Sequence, residues 1–172
     1  MKKKLTIILT ALLAGALFFS AQAQTKSDIP TYRSKGYTGS VSFTDQYLVW
    51  LGFDTSHGYM FNEHHYLGAG FGFFLAPIDD IPPTLIHAYA EYKAYWLKKK
   101  NTPTAGIRTG FCMPVTHDSG YRFNKAFELE PNIGWDWGLK NGKGLNLSVG
   151  ASLMMANRNV VALPKLSFGF QF

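Results

Sequence analysis

Residues 86–96 read IHAYAEYKAYW, and this stretch decides the fold. Apolar residues occupy every second position, whereas the positions between them include the ionisable side chains of His87, Glu91 and Lys93. Successive side chains of a β-strand point to opposite faces, so the pattern predicts a strand with one apolar and one polar face. A tilted strand needs about 9–11 residues to cross the hydrocarbon core of a bilayer, and this stretch is long enough.

The same two-residue alternation recurs after Lys35 and marks eight candidate strands. Their apolar faces begin, in order, at Tyr37, Tyr47, Leu67, Ile86, Ala105, Phe127, Leu145 and Leu166. The opposite faces carry polar or small side chains, among them Asp54, His87 and Asp136. An open sheet in lipid would leave the backbone groups of its edge strands unsatisfied, so the sheet must close. The sequence therefore predicts an all-β chain in which residues 35–172 form an eight-stranded antiparallel up-and-down transmembrane β-barrel.

Composition agrees with this fold. Charged residues form 16% of the chain, against about 25% in ordinary soluble domains, while aromatic residues are plentiful. The net charge of +6 is modest and Lys98–Lys100 is the only dense basic run beyond the N-terminus, so no nucleic-acid partner is expected. Cys112 is the only cysteine, which excludes an internal disulfide, and we expect its thiol to point into the lumen.

The first residues have the organisation of a secretory signal peptide. A basic start precedes the almost unbroken apolar run Leu5–Phe19, and Ala21 and Ala23 give the small-residue pattern that signal peptidase cuts. The apolar run is shorter than the ~20 residues of a transmembrane helix, which disfavours an uncleaved anchor. We predict a signal peptide over residues 1–23, an N-terminal periplasmic segment over residues 24–34, and export to the outer membrane of a Gram-negative bacterium.

Short joints alternate with more varied ones along the chain. Asn141–Gly144 reads NGKG, and Asn-Gly supplies the positive φ angles that a tight hairpin needs. Lys98–Pro103 and Tyr59–Glu63 are the other short joints, and we place all three on the periplasmic side with both termini. Pro131 falls within a strand and removes a ladder hydrogen bond, so we expect a bulge or a local break there. The remaining joints then face outward, at Thr44–Gln46, Ala76–Pro83, Thr116–Tyr121 and Ala156–Val160.

Aromatic residues cluster where strands approach the periplasmic joints. In membrane barrels such residues form girdles at the two interfaces, because their amphipathic rings sit at the level of the lipid headgroups. We predict one girdle from Trp96, Trp135, Trp137, Phe170 and Phe172.

The last seven residues, Leu166–Phe172, read LSFGFQF. This segment resembles the terminal strand of outer-membrane barrel proteins, in which the last residue is an aromatic, usually Phe. In those proteins the motif is read by the barrel-assembly machinery. The resemblance implies that Phe168, Phe170 and Phe172 form an assembly signal and that this machinery is a partner.

Two further segments, Thr55–Asn62 and Gly68–Gly72, resemble small porin-like barrels of the OmpA/OmpX type, especially the variants common in Bacteroidetes-type bacteria. The resemblance implies a monomeric barrel surrounded by outer-membrane lipid and lipopolysaccharide. It implies no cofactor.

The interior of an eight-stranded barrel is only wide enough to be filled by side chains. Burying a carboxylate there costs several kcal/mol of desolvation free energy unless a cation pairs with it. A turn centred on Lys98–Asn101 sets Glu91 opposite Arg108, and a similar estimate for the next joint brings Glu128 towards Arg108, whereas Arg33 lies outside the barrel. We predict a lumen ion network of Glu91, Lys93, Arg108, Glu128, Glu130 and Lys165.

Few residues suggest chemistry, and we predict neither a catalytic residue nor a metal site. His117, Asp118 and Ser119 are the residue types of a hydrolytic triad, which raises a lipid-A-modifying barrel enzyme as an alternative. Three consecutive residues cannot easily serve as nucleophile, base and orienting group, since triads are assembled from separated segments. His64 and His65 point to opposite faces of a strand and cannot chelate one metal together.

A soluble, lipocalin-like barrel is the other alternative. It would need an apolar interior and a polar exterior, whereas the charges here share one face with both signs present. The sequence therefore favours a non-enzymatic barrel with a plugged polar lumen and a structural or surface-interaction role.

Overall fold

The computed structural model describes five segments of the chain, residues 33–46, 50–76, 84–115, 125–156 and 159–172. The predicted signal peptide and most of the N-terminal segment lie outside these residues. The described residues form the strands β1 Gly36–Gln46, β2 Trp50–Met60, β3 His65–Leu75, β4 Thr84–Tyr95, β5 Asn101–Pro114, β6 Ala126–Gly138, β7 Gly144–Ala156 and β8 Asn159–Gln171. No helix among them is long and apolar enough to span a membrane.

The eight strands pair in chain order, each antiparallel to its neighbours, and the sheet closes between β1 and β8. Residues 40–46 of β1 pair with residues 165–171 of β8. At the seam the amide of Gly39 donates to the carbonyl of Phe172 at 3.0 Å, and the amide of Phe172 donates back at 2.9 Å. The predicted fold, an eight-stranded up-and-down barrel, is confirmed.

Three short turns lie at the same end as β1's first residue and β8's last, over residues 61–64, 96–100 and 139–143. We call this the turn end, and the opposite end the loop end. Asn141 has φ 63° and Gly142 has φ 75°, as expected for the tight Asn-Gly hairpin. Gly142 adopts a positive φ angle that most other residues avoid, so the NGKG sequence fixes the turn.

Some strand limits differ from those expected. Thr44–Gln46 is the predicted joint, but it belongs to β1. Gln46 pairs with Trp50 on one side and with Lys165 on the other. The first residues expected in the second strand, 47–49, lie outside the described residues. The last strand starts at Asn159, well before the predicted Leu166.

Pro131 produces a local break without a bulge. The β6–β7 pairing passes from Leu129–Leu153 directly to Asn132–Gly150, with no change of register. Towards β5 the pairing is continuous. A proline has no N–H to donate, so the ladder loses its bonds locally while the strand keeps its direction.

The two faces of the sheet have opposite chemistry. Phe71 on the outer face is 64% exposed, whereas Glu91 on the inner face is 1% exposed and Arg108 is 7% exposed. Other outward residues are equally apolar, among them Leu67, Ile86, Ile107, Ile133, Leu147, Val149 and Phe168. The strands therefore place charged side chains in the lumen and aliphatic and aromatic side chains outside.

Candidate functional site

The lumen is filled by side chains in three layers along the barrel. At the loop end an apolar layer contains Phe74, Leu85, Cys112, Ala126 and Met154. Cys112 lies within it, as expected for an inward thiol. At the turn end Met60, Tyr66 and Tyr95 pack together. Between these two layers lie most of the buried ionisable side chains.

Arg108 is at the centre of the charged layer. Its Nε donates to Oε1 of Glu91 at 3.0 Å, and its Nη1 donates to Oδ2 of Asp54 at 3.3 Å. Nη1 is also 3.9 Å from Oε2 of Glu130. The guanidinium lies over the ring of Tyr89, 4.7 Å from its centroid. One planar group with several donors thus connects carboxylates from three different strands, as guanidinium geometry allows.

Two lysines complete the cationic side of this layer. Nζ of Lys165 donates to Oε1 of Glu130 at 2.5 Å and lies 3.9 Å from Oδ2 of Asp54. Nζ of Lys93 is 3.5 Å from Oε1 of Glu91. Both lysines are buried, so these carboxylates supply the partners that water would otherwise provide.

His87 joins two further carboxylates. Its Nε2 is bonded to Oδ1 of Asp54, and its Nδ1 lies 3.2 Å from Oε2 of Glu128. A neutral imidazole has one N–H and cannot donate to two ionised carboxylates at once, whereas an imidazolium can. With His87 charged, the four cations of this layer equal its four carboxylates, Asp54, Glu91, Glu128 and Glu130.

All six residues of the predicted network are buried, and the structure brings most of them together. Glu128 does not reach Arg108 as expected, because the β5–β6 register sets Arg108 opposite Glu130, two residues further along β6. Glu128 instead bonds His87 and accepts from the hydroxyl of Ser152, whose Oγ donates at 2.6 Å. The predicted network lacks His87 and Asp54, although the alternation places both on the polar face.

Arg33 does not lie outside the barrel, which corrects our expectation. It is only 6% exposed, and its Nη2 donates to Oδ1 of Asp136. Its Nη1 donates to the carbonyl of Lys99 at 2.7 Å, and its guanidinium lies 4.9 Å from the ring centroid of Tyr95. A buried carboxylate on β6 requires a cation, and the segment before β1 supplies it. Asp136 on the predicted polar face was the signal that could have indicated such a partner.

Two small cavities lie among the described side chains of the lumen. A cavity of about 20 Å³ is lined by residues including Thr38, Tyr66, Lys93 and Gln171, and such a volume holds about one water molecule. A second cavity of about 10 Å³ lies beside Arg108. Neither has room for an organic ligand.

Within the described segments, one group of side chains has metal-ligating atoms close together. His87, Glu128 and Glu130 each offer one such atom within 4.8 Å of the others. These side chains are already engaged, since His87 bonds Asp54, Glu128 accepts from Ser152 and Glu130 accepts from Lys165. The arrangement is that of a closed ion network, in which a metal would displace existing partners.

His64 and His65 bond to neighbours at the turn end. Nδ1 of His64 donates to the carbonyl of Tyr95 at 2.7 Å, and Nδ1 of His65 is 2.8 Å from the hydroxyl of Tyr92. The residues of the triad alternative, 117–119, lie outside the described residues.

Several aromatic side chains of the predicted girdle face outward near the turn end. Trp96 and Trp135 are exposed, while Trp137, Phe170 and Phe172 are half-buried. Tyr37, Tyr59, Phe61 and Tyr92 are exposed at the same end.

Comparison with solved structures identifies the fold. The N-terminal β-barrel domain of Pseudomonas aeruginosa OprF is similar with a TM-score of 0.62 and 9% sequence identity, over 81% of this chain and 98% of that one. Neisserial surface protein A is similar with a TM-score of 0.57 and 13% identity, over 80% of this chain and 94% of that one. No family model and no curated protein sequence matches the chain. The fold is therefore that of small eight-stranded outer-membrane barrels.

Proposed function

We propose that this chain is a non-enzymatic outer-membrane β-barrel, closed by its own side chains, with a structural or surface-interaction role. The observation that carries the proposal is the distribution of side chains between the two faces of the barrel. Ion pairs occupy the middle of the lumen, and apolar side chains face outward.

The outer surface supports a lipid environment. Soluble monomers rarely expose contiguous apolar patches larger than a few hundred Å². Here the outward positions of neighbouring strands are apolar in register, as at Phe71 opposite Ala88 and Phe53 opposite Phe73. In water such a surface would aggregate, whereas in lipid it needs no partner. A lipocalin-like barrel requires the reverse arrangement.

The lumen supports a closed barrel. The charged layer lies between two packed apolar layers. At the turn end, the hydrogen bond from Arg33 to Asp136 holds the segment before β1 against the barrel. A conducting pore would need a continuous water-filled path, and the cavities beside the network hold about one water each.

The proposal extends to the type of barrel, its export and its partners. We place the chain with barrels of the OmpA/OmpX type, in a Bacteroidetes-type variant, on the residues of Thr55–Asn62 and Gly68–Gly72. Cleavage after Ala23 would release the chain for export, and Phe172 at the closing seam would present the signal for the barrel-assembly machinery. In the membrane the barrel would be a monomer in contact with lipid and lipopolysaccharide.

The rival function is a lipid-A-modifying enzyme with His117 or Ser119 in its site. Mass spectrometry of lipid A from cells with and without the gene separates the two functions. Unchanged acyl chains are expected. A change in acylation that His117→Ala abolishes would establish the enzyme instead.

Cell fractionation tests the proposal itself. The protein is expected in the outer-membrane fraction, with an unboiled band that migrates differently from the boiled band because the barrel resists detergent. In planar bilayers it is expected to give no steady conductance. Recovery as a soluble periplasmic protein would contradict the membrane assignment, and a stable open channel would contradict the closed lumen.

A further inference from the structure

Lysine side chains are concentrated at the turn end of the barrel. We call this set the basic rim: Lys35, Lys98, Lys99, Lys100, Lys140 and Lys143. Lys35 precedes β1, the next three form the β4–β5 turn, and the last two belong to the β6–β7 turn.

Backbone contacts make the rim one continuous surface. The carbonyl of Lys100 accepts from the amide of Gly138 at 2.6 Å, which joins the β4–β5 turn to the β6–β7 turn. The carbonyl of Lys99 accepts from Arg33, only two residues before Lys35. The three segments that carry the lysines are therefore held side by side.

Acidic side chains neutralise little of this charge. Of those described at this end, Glu63 lies 3.0 Å from Nζ of Lys98, and Asp136 is buried against Arg33. Exposed ion pairs such as that of Glu63 are weak. The rim therefore presents a net positive surface.

The turn end also carries large apolar side chains, whose exposure to water would be unfavourable. Trp96 is 62% exposed and Phe61 is 53% exposed, and Leu97 and Leu139 are exposed as well. Trp96 and Leu97 directly precede the lysines of the β4–β5 turn. Aromatic residues followed by lysines are typical of a membrane–water interface, where the ring sits among headgroups and the ammonium reaches the polar side.

We propose that the basic rim binds the headgroups of anionic phospholipids in the leaflet at the turn end. The inference rests on the membrane location proposed above and adds a lipid specificity to it. Phosphate-bearing headgroups attract clustered lysines within about a Debye length of the surface. A soluble acidic polymer would be bound by lysines alone, whereas this surface also places apolar side chains at the headgroup level.

Tryptophan fluorescence reads out this end of the barrel. Trp96, Trp135 and Trp137 lie near the rim, whereas Trp50 lies at the loop end. The full barrel is inserted into mixed vesicles in which either phosphatidylglycerol or phosphatidylcholine carries brominated acyl chains. At low salt, brominated phosphatidylglycerol is expected to quench more strongly than its mole fraction predicts, and high salt is expected to remove the excess.

A matched pair of variants isolates the charge. The triple change Lys98→Gln, Lys99→Gln and Lys100→Gln is expected to lower the relative binding constant for phosphatidylglycerol about a hundredfold. The triple change to Arg keeps the charge and is expected to keep the preference. Because Arg33 binds backbone carbonyls of this turn, neither change removes its partners.

The outcomes separate the two proposals. Equal quenching by both lipids in an inserted protein, or an unchanged preference in the Gln variant, overturns the lipid specificity alone. Failure to insert into either vesicle overturns the membrane location as well. Equal quenching combined with retention of the wild type, but not of the Gln variant, on purified cell-wall sacculi would assign the rim to the wall polymer and overturn the lipid proposal.

Discussion

Glu91 on β4 and Arg108 on β5 are direct cross-strand partners, and the Nε of Arg108 donates to Oε1 of Glu91 at 3.0 Å. Both side chains are buried in the lumen. The pair stabilises the barrel only when both residues are present. Either one alone would be a buried charge without a counter-ion in a water-poor interior.

Arg108→Ala is expected to destabilise the folded barrel by about 3–5 kcal/mol. The substitution leaves Glu91 without its guanidinium donor and removes one partner each from Asp54 and Glu130. Denaturant unfolding of the inserted protein measures the loss. The control is Lys98→Ala, which removes an exposed ion pair and should cost less than about 1 kcal/mol. Equal losses for the two variants would contradict the buried network.

Arg33→Ala is expected to cost about 3 kcal/mol, since it leaves Asp136 buried without its cation. Adding Asp136→Asn should recover more than half of that loss, because a neutral amide is less costly to bury than a carboxylate. The temperature at which the folded gel band disappears measures both effects. Were Arg33→Ala neutral, the segment before β1 would not contribute to closing the turn end.

His87 is expected to carry a proton on both ring nitrogens in the folded barrel. Solid-state NMR of ¹⁵N-labelled protein in lipid, assigned by loss of the signals in His87→Gln, distinguishes an imidazolium from either neutral tautomer. Two protonated nitrogens agree with carboxylates on both sides of the ring. One unprotonated nitrogen would contradict the charge balance of the lumen.

The sequence predicts the barrel because one feature, the two-residue alternation, is repeated in all eight strands. It also predicts the Glu91–Arg108 pair, since a short turn between β4 and β5 leaves little freedom of register. The observed β5–β6 register differs from the predicted one by two residues. Glu128 therefore contacts His87 instead of Arg108. The joint between these strands is longer, so its length did not fix the pairing.

Other features of the lumen depend on contacts that no local pattern encodes. Arg33 precedes the first strand, and only the closed barrel brings it to Asp136, which is 103 residues away in sequence. Asp54 and His87 were placed on the polar face, but their contact crosses the lumen between β2 and β4. Sequence periodicity predicts on which face of the sheet a side chain lies. It does not predict which side chain it contacts across the lumen.

Ala90→Arg is expected to destabilise the inserted barrel by about 2–4 kcal/mol, the cost of a cation on the lipid face near the midplane. Ala90 is an exposed outward residue near the middle of β4, opposite Ala69 and Thr109, so the change removes no packed side chain. Ala90→Leu is the matched control and should be neutral or stabilising. On a water-facing surface both changes would fall within about 0.5 kcal/mol, which would contradict the lipid contact.

The most direct test of the outward apolar surface is the accessibility of a spin label at this position. Ala90→Cys is labelled with a nitroxide in a Cys112→Ala background and reconstituted into phospholipid vesicles. Collisions with oxygen, which concentrates in hydrocarbon, are expected to exceed those with a water-soluble nickel chelate. If the nickel chelate relaxes the label more than oxygen does, the outer surface contacts water and the membrane account is wrong.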